Sequence, residues 1–107
     1  MATEYPVRRP IRRAPTHPGK ILKDEVLPAL NLSVTKAAEH LRVSRQSLYK
    51  IVNCERSITP EMALRLGKFC GNGPDLWMEM QKRYDLWKAQ SNLCNEIDTI
   101  PTFAIAE

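Results

Sequence analysis

Between Val34 and Asn53 the apolar residues fall at Ala37, Ala38, Leu41, Val43, Leu48 and Ile51, a spacing that no single helix holds on one face. The stripe of Ala37, Ala38 and Leu41 loses phase after Val43, whereas two short helices joined by a tight turn accommodate every position. The pattern predicts a helix-turn-helix. Ser33 and Ser44 stand at the two starts, where a hydroxyl can accept a backbone N–H from the first turn. The second helix is expected to run from Ser44 through Val52. Leu48 and Ile51 then turn inward, and Arg45, Gln46, Tyr49, Lys50 and Asn53 turn outward.

The flanking segments read as three further helices. Pro18 suits a first helical turn, with Ile21, Leu22, Val26 and Leu27 as the inner stripe, Pro28 as a bend or stop, and Leu30 and Leu32 packed beneath the connection to Ser33. Thr59-Pro60-Glu61 combines a cap, a proline at the first helical position and an acid at the positive end of the helix dipole. That helix is expected to bury Met62, Ala63, Leu66, Phe69 and Cys70 and to stop at Gly71. A last helix from Pro74 to about Gln90 presents Leu76, Trp77, Met80, Tyr84 and Trp87 at three- and four-residue steps. Trp77 and Met80 suit the core. Tyr84 and Trp87, nearer the end, suit a dimer or partner surface, where aromatic residues are enriched, with plain core as the alternative. Thr99 to Ala106 is β-branched and apolar, but Pro101 allows an edge strand at best. The expected fold is all-α: a five-helix helix-turn-helix domain over residues 17–90, a basic Pro/Arg-rich arm over 1–16 and a short tail over 91–107.

With 107 residues the chain has room for one helical core. No run approaches the roughly 20 apolar residues of a membrane span, and no secretory signal is present, so a cytoplasmic location is expected. Cys54, Cys70 and Cys94 form no C-x-x-C pair, and His17 and His40 stand at no ligand spacing from them, so no metal is expected. Cys70 reads as a small core residue, and His17 beside Pro18 as a residue that orders the turn into the first helix.

Charge is concentrated. The net charge is +4, and residues 1–20 hold Arg8, Arg9, Arg12, Arg13 and Lys20 against Glu4 alone. Residues 34–56 carry Lys36, Arg42, Arg45, Lys50 and Arg56 against Glu39 and Glu55, and the tail has Glu96, Asp98 and Glu107 with no base. This distribution suits a nucleic-acid ligand. On the outward face of the second motif helix, Arg can bond guanine O6 and N7 together, Gln can do the same at adenine N6 and N7, and Ser and Lys can take phosphates. The competing reading is a solvated amphipathic helix, which the adjoining first helix of the motif disfavours. Arg8, Arg9, Arg12 and Arg13 can lie along phosphates or enter a minor groove, or belong to a solvated tail. Arg42 and Arg56 flank the motif as further candidate phosphate contacts. Arg42 also occupies the turn position that usually needs a positive φ, at a cost on the order of 1 kcal/mol for a non-glycine residue.

Several motifs in sequence resemble one family. His17-Pro18-Gly19-Lys20-Ile21-Leu22, the helix-turn-helix with Ser44-Arg45-Gln46, the loop from Asn53 to Arg56 with Ser57-Ile58-Thr59-Pro60, and Pro74-Asp75-Leu76-Trp77 followed by Tyr84-Asp85-Leu86-Trp87 are together similar to the HigA antitoxins. These belong to the wider Xre and Cro/CI group, with a lambda-repressor-like fold. The resemblance covers about two-thirds of the chain. It implies a homodimer that binds operator DNA, represses its own operon and neutralises a HigB toxin, a ribonuclease that cleaves messenger RNA on the ribosome. By position, the implied DNA contacts are Ser44, Arg45, Gln46, Ser47, Tyr49 and Lys50. Arg42 and Cys54 depart from the pattern where glycine is common, and Gly73 departs where a capping Ser or Thr is common.

Two other readings stand beside it: a free-standing Xre-type regulator with no toxin, and a protein-interaction module with weak DNA binding. An enzyme is not expected. The sequence offers no nucleophile paired with a base, no paired carboxylates in a cleft-forming context and no glycine-rich phosphate loop. No cofactor is expected.

Overall fold

The computed structural model describes residues 14–104, and these form five helices with no strand among the described residues. Helix α1 spans residues 18–30 in three joined pieces, α-helical at Pro18–Ile21, π-helical at Leu22–Val26 and α-helical again at Leu27–Leu30. The others are α2 (Val34–Leu41), α3 (Arg45–Val52), α4 (Pro60–Cys70) and α5 (Pro74–Ile97).

The wide turn in α1 answers Pro28. A proline in a helix interior has no N–H to give and its ring crowds the carbonyl four residues back, here that of Asp24. In the π-helical turn the Leu27 N–H reaches the Leu22 carbonyl instead, and the helix passes through Pro28 rather than stopping. Leu22 and Leu27 are buried, but Leu30 is 46% exposed, so only Leu32 of the expected pair packs against the core.

Each predicted cap is present. Ser33 Oγ accepts the Lys36 N–H at 3.1 Å, Ser44 Oγ accepts the Ser47 N–H at 3.0 Å, and Thr59 Oγ1 accepts the Met62 N–H at 3.2 Å. At the start of α1, His17 caps through its ring: Nδ1 accepts the Gly19 N–H at 2.9 Å. The neighbouring glycine serves a different purpose. A Cβ on Gly19 would collide with the Ile51 carbonyl, so the first turn of α1 lies directly against the last turn of α3.

Three helices end on a non-glycine residue in the left-handed region: Asn31 and Arg42 at φ 60°, and Cys54 at φ 64°. All three are Schellman ends, with crossed backbone bonds from Leu32 to Leu27, Val43 to Ala38 and Glu55 to Lys50 at 3.0, 3.1 and 2.8 Å. The turns at Arg42 and Cys54 therefore form as they would with glycine, at a conformational cost of about 1 kcal/mol each.

One core joins all five helices. Leu22 and Leu27 meet Ala37, Ala38 and Leu41 of α2 and Leu48, Ile51 and Val52 of α3. Ile58, Met62, Ala63, Leu66 and Trp77 close the other side. Phe69 and Cys70 are only partly buried at the margin. Trp77 is 1% exposed and its Nε1–H donates to Asn72 Oδ1 at 3.2 Å, so the indole carries no orphan donor into the core. Leu76 faces outward at 50% exposure, contrary to its place in the expected stripe, because α5 turns the Trp77–Gln81–Tyr84 side toward the domain.

Helix α5 does not end near Gln90. No glycine or proline interrupts it before Pro101, Ser91 Oγ–H donates to the Trp87 carbonyl at 3.0 Å, and the Thr99 hydroxyl donates to the Glu96 carbonyl at 2.7 Å where the helix stops. Every residue from Lys88 through Ala104 is exposed, and the edge strand expected after Thr99 is absent from the described residues through Ala104.

Candidate nucleic-acid interface

The outward face of α3 is built by three local devices. Ser44 starts the helix in extended backbone and holds Ser47 twice, by the capping bond and by donating its own hydroxyl proton to Ser47 Oγ at 2.9 Å. Leu48, Ile51 and Val52 anchor the inner side at 0–3% exposure. With that side fixed, Arg45, Gln46, Tyr49 and Lys50 stand in solvent, Tyr49 at 45% exposure, and Ser47 is half-buried at the edge.

Arg56 joins this face from the following loop. Its Nη1–H reaches Ser47 Oγ at 3.4 Å, which sets a second guanidinium beside the N-terminal turn of α3, about nine residues away in sequence. A shallow groove runs from there between α3 and α4, lined by Val43, Ser47, Ile51, Arg56, Ser57 and Thr59 among others. Arg42 is exposed on the turn before α3. Ser44, Arg45, Gln46, Ser47, Tyr49 and Lys50 thus belong to α3 and its cap, with no acidic residue on α3 itself; Arg56 touches Ser47, and Arg42 lines a separate hollow with His40, Leu64 and Phe69. Arg8, Arg9, Arg12 and Arg13 lie outside the described residues.

Tyr84 and Trp87 lie on the far helix. The Tyr84 ring meets the His17 imidazole edge-on with centroids 4.8 Å apart, and Trp87 lies 6.0 Å beyond Tyr84, so both aromatics are half-buried near the start of α1. Burial pushes the His17 imidazole below its usual 6.5, with Lys88 acting the same way and the Asp85 carboxylate acting against it. A neutral ring is the form that can accept the Gly19 N–H.

Two supporting residues escaped the sequence reading. Gln81 is 3% exposed. Its Oε1 accepts the Ile58 N–H at 2.8 Å, and its Nε2–H donates to Asp85 Oδ1 at 2.9 Å. Arg65 reaches from α4 to the end of α2, where Nη1–H donates to the Leu41 carbonyl at 2.9 Å. Neither role has a local signature, since the Ile58 amide and the Leu41 carbonyl lie 23 and 24 residues away in sequence. The exposed apolar face of α5 was also not anticipated: Leu86, Leu93 and Ile97, at 48, 41 and 51% exposure, repeat at seven and four residues along one side.

Cys54 and Cys94 are exposed, while burial raises the Cys70 thiol and keeps it protonated. Among the described residues no helix is long and apolar enough to cross a membrane.

Residues 22–77 match the helix-turn-helix family, a span that covers both motif helices and ends at Trp77. The uncharacterised HTH-type transcriptional regulator YbaQ of Escherichia coli K12 is 41% identical over 81 residues, which is 76% of this chain and 72% of that protein. Pseudomonas aeruginosa antitoxin HigA, solved with the higBA promoter, superposes with a TM-score of 0.79 at 34% identity over 84% of this chain and 99% of that one. The antitoxin GraA in complex with its operator gives a TM-score of 0.82 at 27% identity over 94% and 99%. Helix order, motif position and superposition agree: the chain belongs to the Xre-type helix-turn-helix family, and HigA antitoxins are among its structural neighbours.

Proposed function

We propose that this protein is a DNA-binding antitoxin that represses its own operon and neutralises a HigB-like ribonuclease toxin. The observation that carries the DNA reading is the outward face of α3. Its capped N-terminus presents Ser44, Arg45, Gln46 and Ser47, with Tyr49 and Lys50 behind them and no carboxylate among them. The superposition on HigA with its promoter and on GraA with its operator supports the same use. In this reading Arg45 and Gln46 read base edges, Ser44, Ser47, Tyr49 and Lys50 complete the contact, and Arg42 and Arg56 take phosphates at either side. Arg8, Arg9, Arg12 and Arg13 add affinity that is independent of sequence. A homodimer places two α3 helices in successive major grooves about 34–36 Å apart. Tyr84 and Trp87 and, on a different side of α5, the exposed Leu86, Leu93 and Ile97 are the surfaces assigned to the partner copy or the toxin. In this reading the protein works in the cytoplasm, where its operator DNA and the toxin's messenger RNA targets are.

The test is operator binding against random DNA of equal length. Arg45→Ala and Gln46→Ala are each expected to weaken operator binding by about 1–3 kcal/mol and to change random-DNA binding far less. Equal losses on both would show that neither side chain reads bases. The description of YbaQ as a transcriptional regulator favours a second reading, a repressor without a toxin. Co-expression with the adjacent open reading frame separates the two: an antitoxin co-purifies with a small basic ribonuclease-like protein and restores growth, and a free-standing regulator does neither.

A further inference from the structure

Only three residues separate the end of α2 from the start of α3, so the orientation of its exposed face depends on the turn Arg42-Val43-Ser44. That turn is intrinsically strained, because Arg42 holds φ 60° without being glycine. One side chain from outside the motif grips it. Arg65 Nη1–H donates to the Leu41 carbonyl at 2.9 Å and approaches the Arg42 carbonyl at 3.4 Å, two groups that the end of α2 would otherwise leave to water. The other arm of the same guanidinium is held in place on α4, where Nη2–H donates to Glu61 Oε2 at 3.2 Å. The fork is rigid and planar, so fixing one arm fixes the direction of the other. A cation here also faces the negative end of the α2 dipole.

We infer that Arg65 is a positioning residue for operator recognition: it clamps the turn of the motif to α4 and thereby sets the angle at which α3 meets the major groove. This rests on the DNA-binding reading above. Arg65 itself makes no base contact in this account. Its two hydrogen-bonding directions are engaged within the protein, and its side chain is only 36% exposed. Discrimination between operator and random DNA is then sensitive to it, while the number of phosphates neutralised is not.

The experiment compares wild type with Arg65→Met, Arg65→Lys and Glu61→Gln by two measurements on the full chain. The first is the ratio of operator to random-DNA affinity together with its salt dependence. The second is amide hydrogen exchange at Val43 through Leu48 in the absence of DNA. Arg65→Met is expected to lower the affinity ratio about tenfold, the scale of one lost charge-assisted hydrogen bond, with the salt slope unchanged. Protection at these amides is expected to fall more than that of the core amides of α4. Lysine, with a single-point donor, restores part of both, and Glu61→Gln, which frees only the second arm, gives a smaller loss of each. If Arg65→Met does not fold, Glu61→Gln and Arg65→Lys decide the matter on the same measurements. An unchanged affinity ratio overturns the inference, as does a salt slope reduced by about one, which would make Arg65 a phosphate contact. Protection lost uniformly across all helices overturns it too, since that is a general stability effect. If wild type itself shows no operator preference, the DNA reading fails, and local exchange at Val43 through Leu48 still decides whether Arg65 holds the turn.

Discussion

Replacing Gln81 with methionine is expected to destabilise the protein by about 1–2 kcal/mol, and the reason lies in one buried amide. Ile58 is 2% exposed and its N–H donates to Gln81 Oε1 at 2.8 Å. Methionine matches glutamine in length and accepts hydrogen bonds only weakly, so the amide is left without an adequate partner. An orphaned buried donor costs about 1–3 kcal/mol, and the better burial of the thioether offsets part of it. The second bond, from Nε2 to Asp85 Oδ1, adds little, because Asp85 is exposed and water replaces the donor. For a domain of this size the loss corresponds to a fall in Tm of about 4–15 °C. Urea unfolding followed by circular dichroism reads it directly, with an unchanged m-value showing that stability rather than compactness has moved. Gln81→Glu is the informative control. It keeps an acceptor oxygen but sets a buried charge beside Asp85, so it is expected to be worse than methionine at pH 7 and to recover toward wild type as the carboxyl protonates on acidification. A loss for Gln81→Met smaller than about 0.3 kcal/mol, or a Glu variant with no recovery relative to wild type at low pH, would refute the assignment of this bond as the anchor between α5 and the loop after α3.

Arg42→Gly is expected to stabilise the fold by up to about 1 kcal/mol in the same assay, because glycine adopts φ 60° without strain and keeps the backbone bonds of the turn. Arg42→Ala, still strained, should not. His17 links stability to pH. Its folded-state value is depressed below 6.5, so the unfolded chain binds the proton more readily, and stability is fully present above pH 6.5 and declines as pH falls through the folded-state value. His17→Asn, which can cap without titrating, should flatten that part of the profile in thermal melts between pH 7 and 5. Leu93→Glu with Ile97→Glu is expected to shift sedimentation from dimer toward monomer and weaken operator binding without lowering Tm of the monomer, and an unchanged sedimentation coefficient would remove this side of α5 from the interface.

What could be read from the sequence was whatever is decided within four or five residues. The caps at Ser33, Ser44 and Thr59, the stop at Gly71 and the inward stripe of Leu48 and Ile51 each depend on a local backbone group or a helical period, and each is where it was expected. His17 belongs here too, since its ring and the Gly19 amide are two residues apart. The face of Arg45, Gln46, Tyr49 and Lys50 followed from the same periodicity. What escaped depends on distant partners. A glutamine at position 81 looks like a surface residue until the Ile58 amide is brought against it, and Arg65 looks like half of an ordinary helix-surface pair with Glu61 until the end of α2 arrives. The length of α5 was underestimated because Ser91, Asn92 and Asn95 are weak helix formers, and no stop signal actually follows Gln90 until Pro101. Leu30 and Leu76 show the converse error, apolar residues assigned inward by type where the helix phase turns them out.

The meeting of Gly19 with the Ile51 carbonyl has a consequence for binding of more than one site at once. Because the first turn of α1 abuts the last turn of α3, the chain enters α1 through a joint fixed relative to the helix proposed to read the groove. In the proposed DNA complex, contacts made by α3 and by the N-terminal arginines through this joint would act on the same duplex at high effective concentration, the second gained without a second search of the DNA. Lengthening that joint would lower the effective concentration while leaving each contact chemically intact. On the proposed DNA-binding reading, the small residue at position 19 bears on avidity as well as packing.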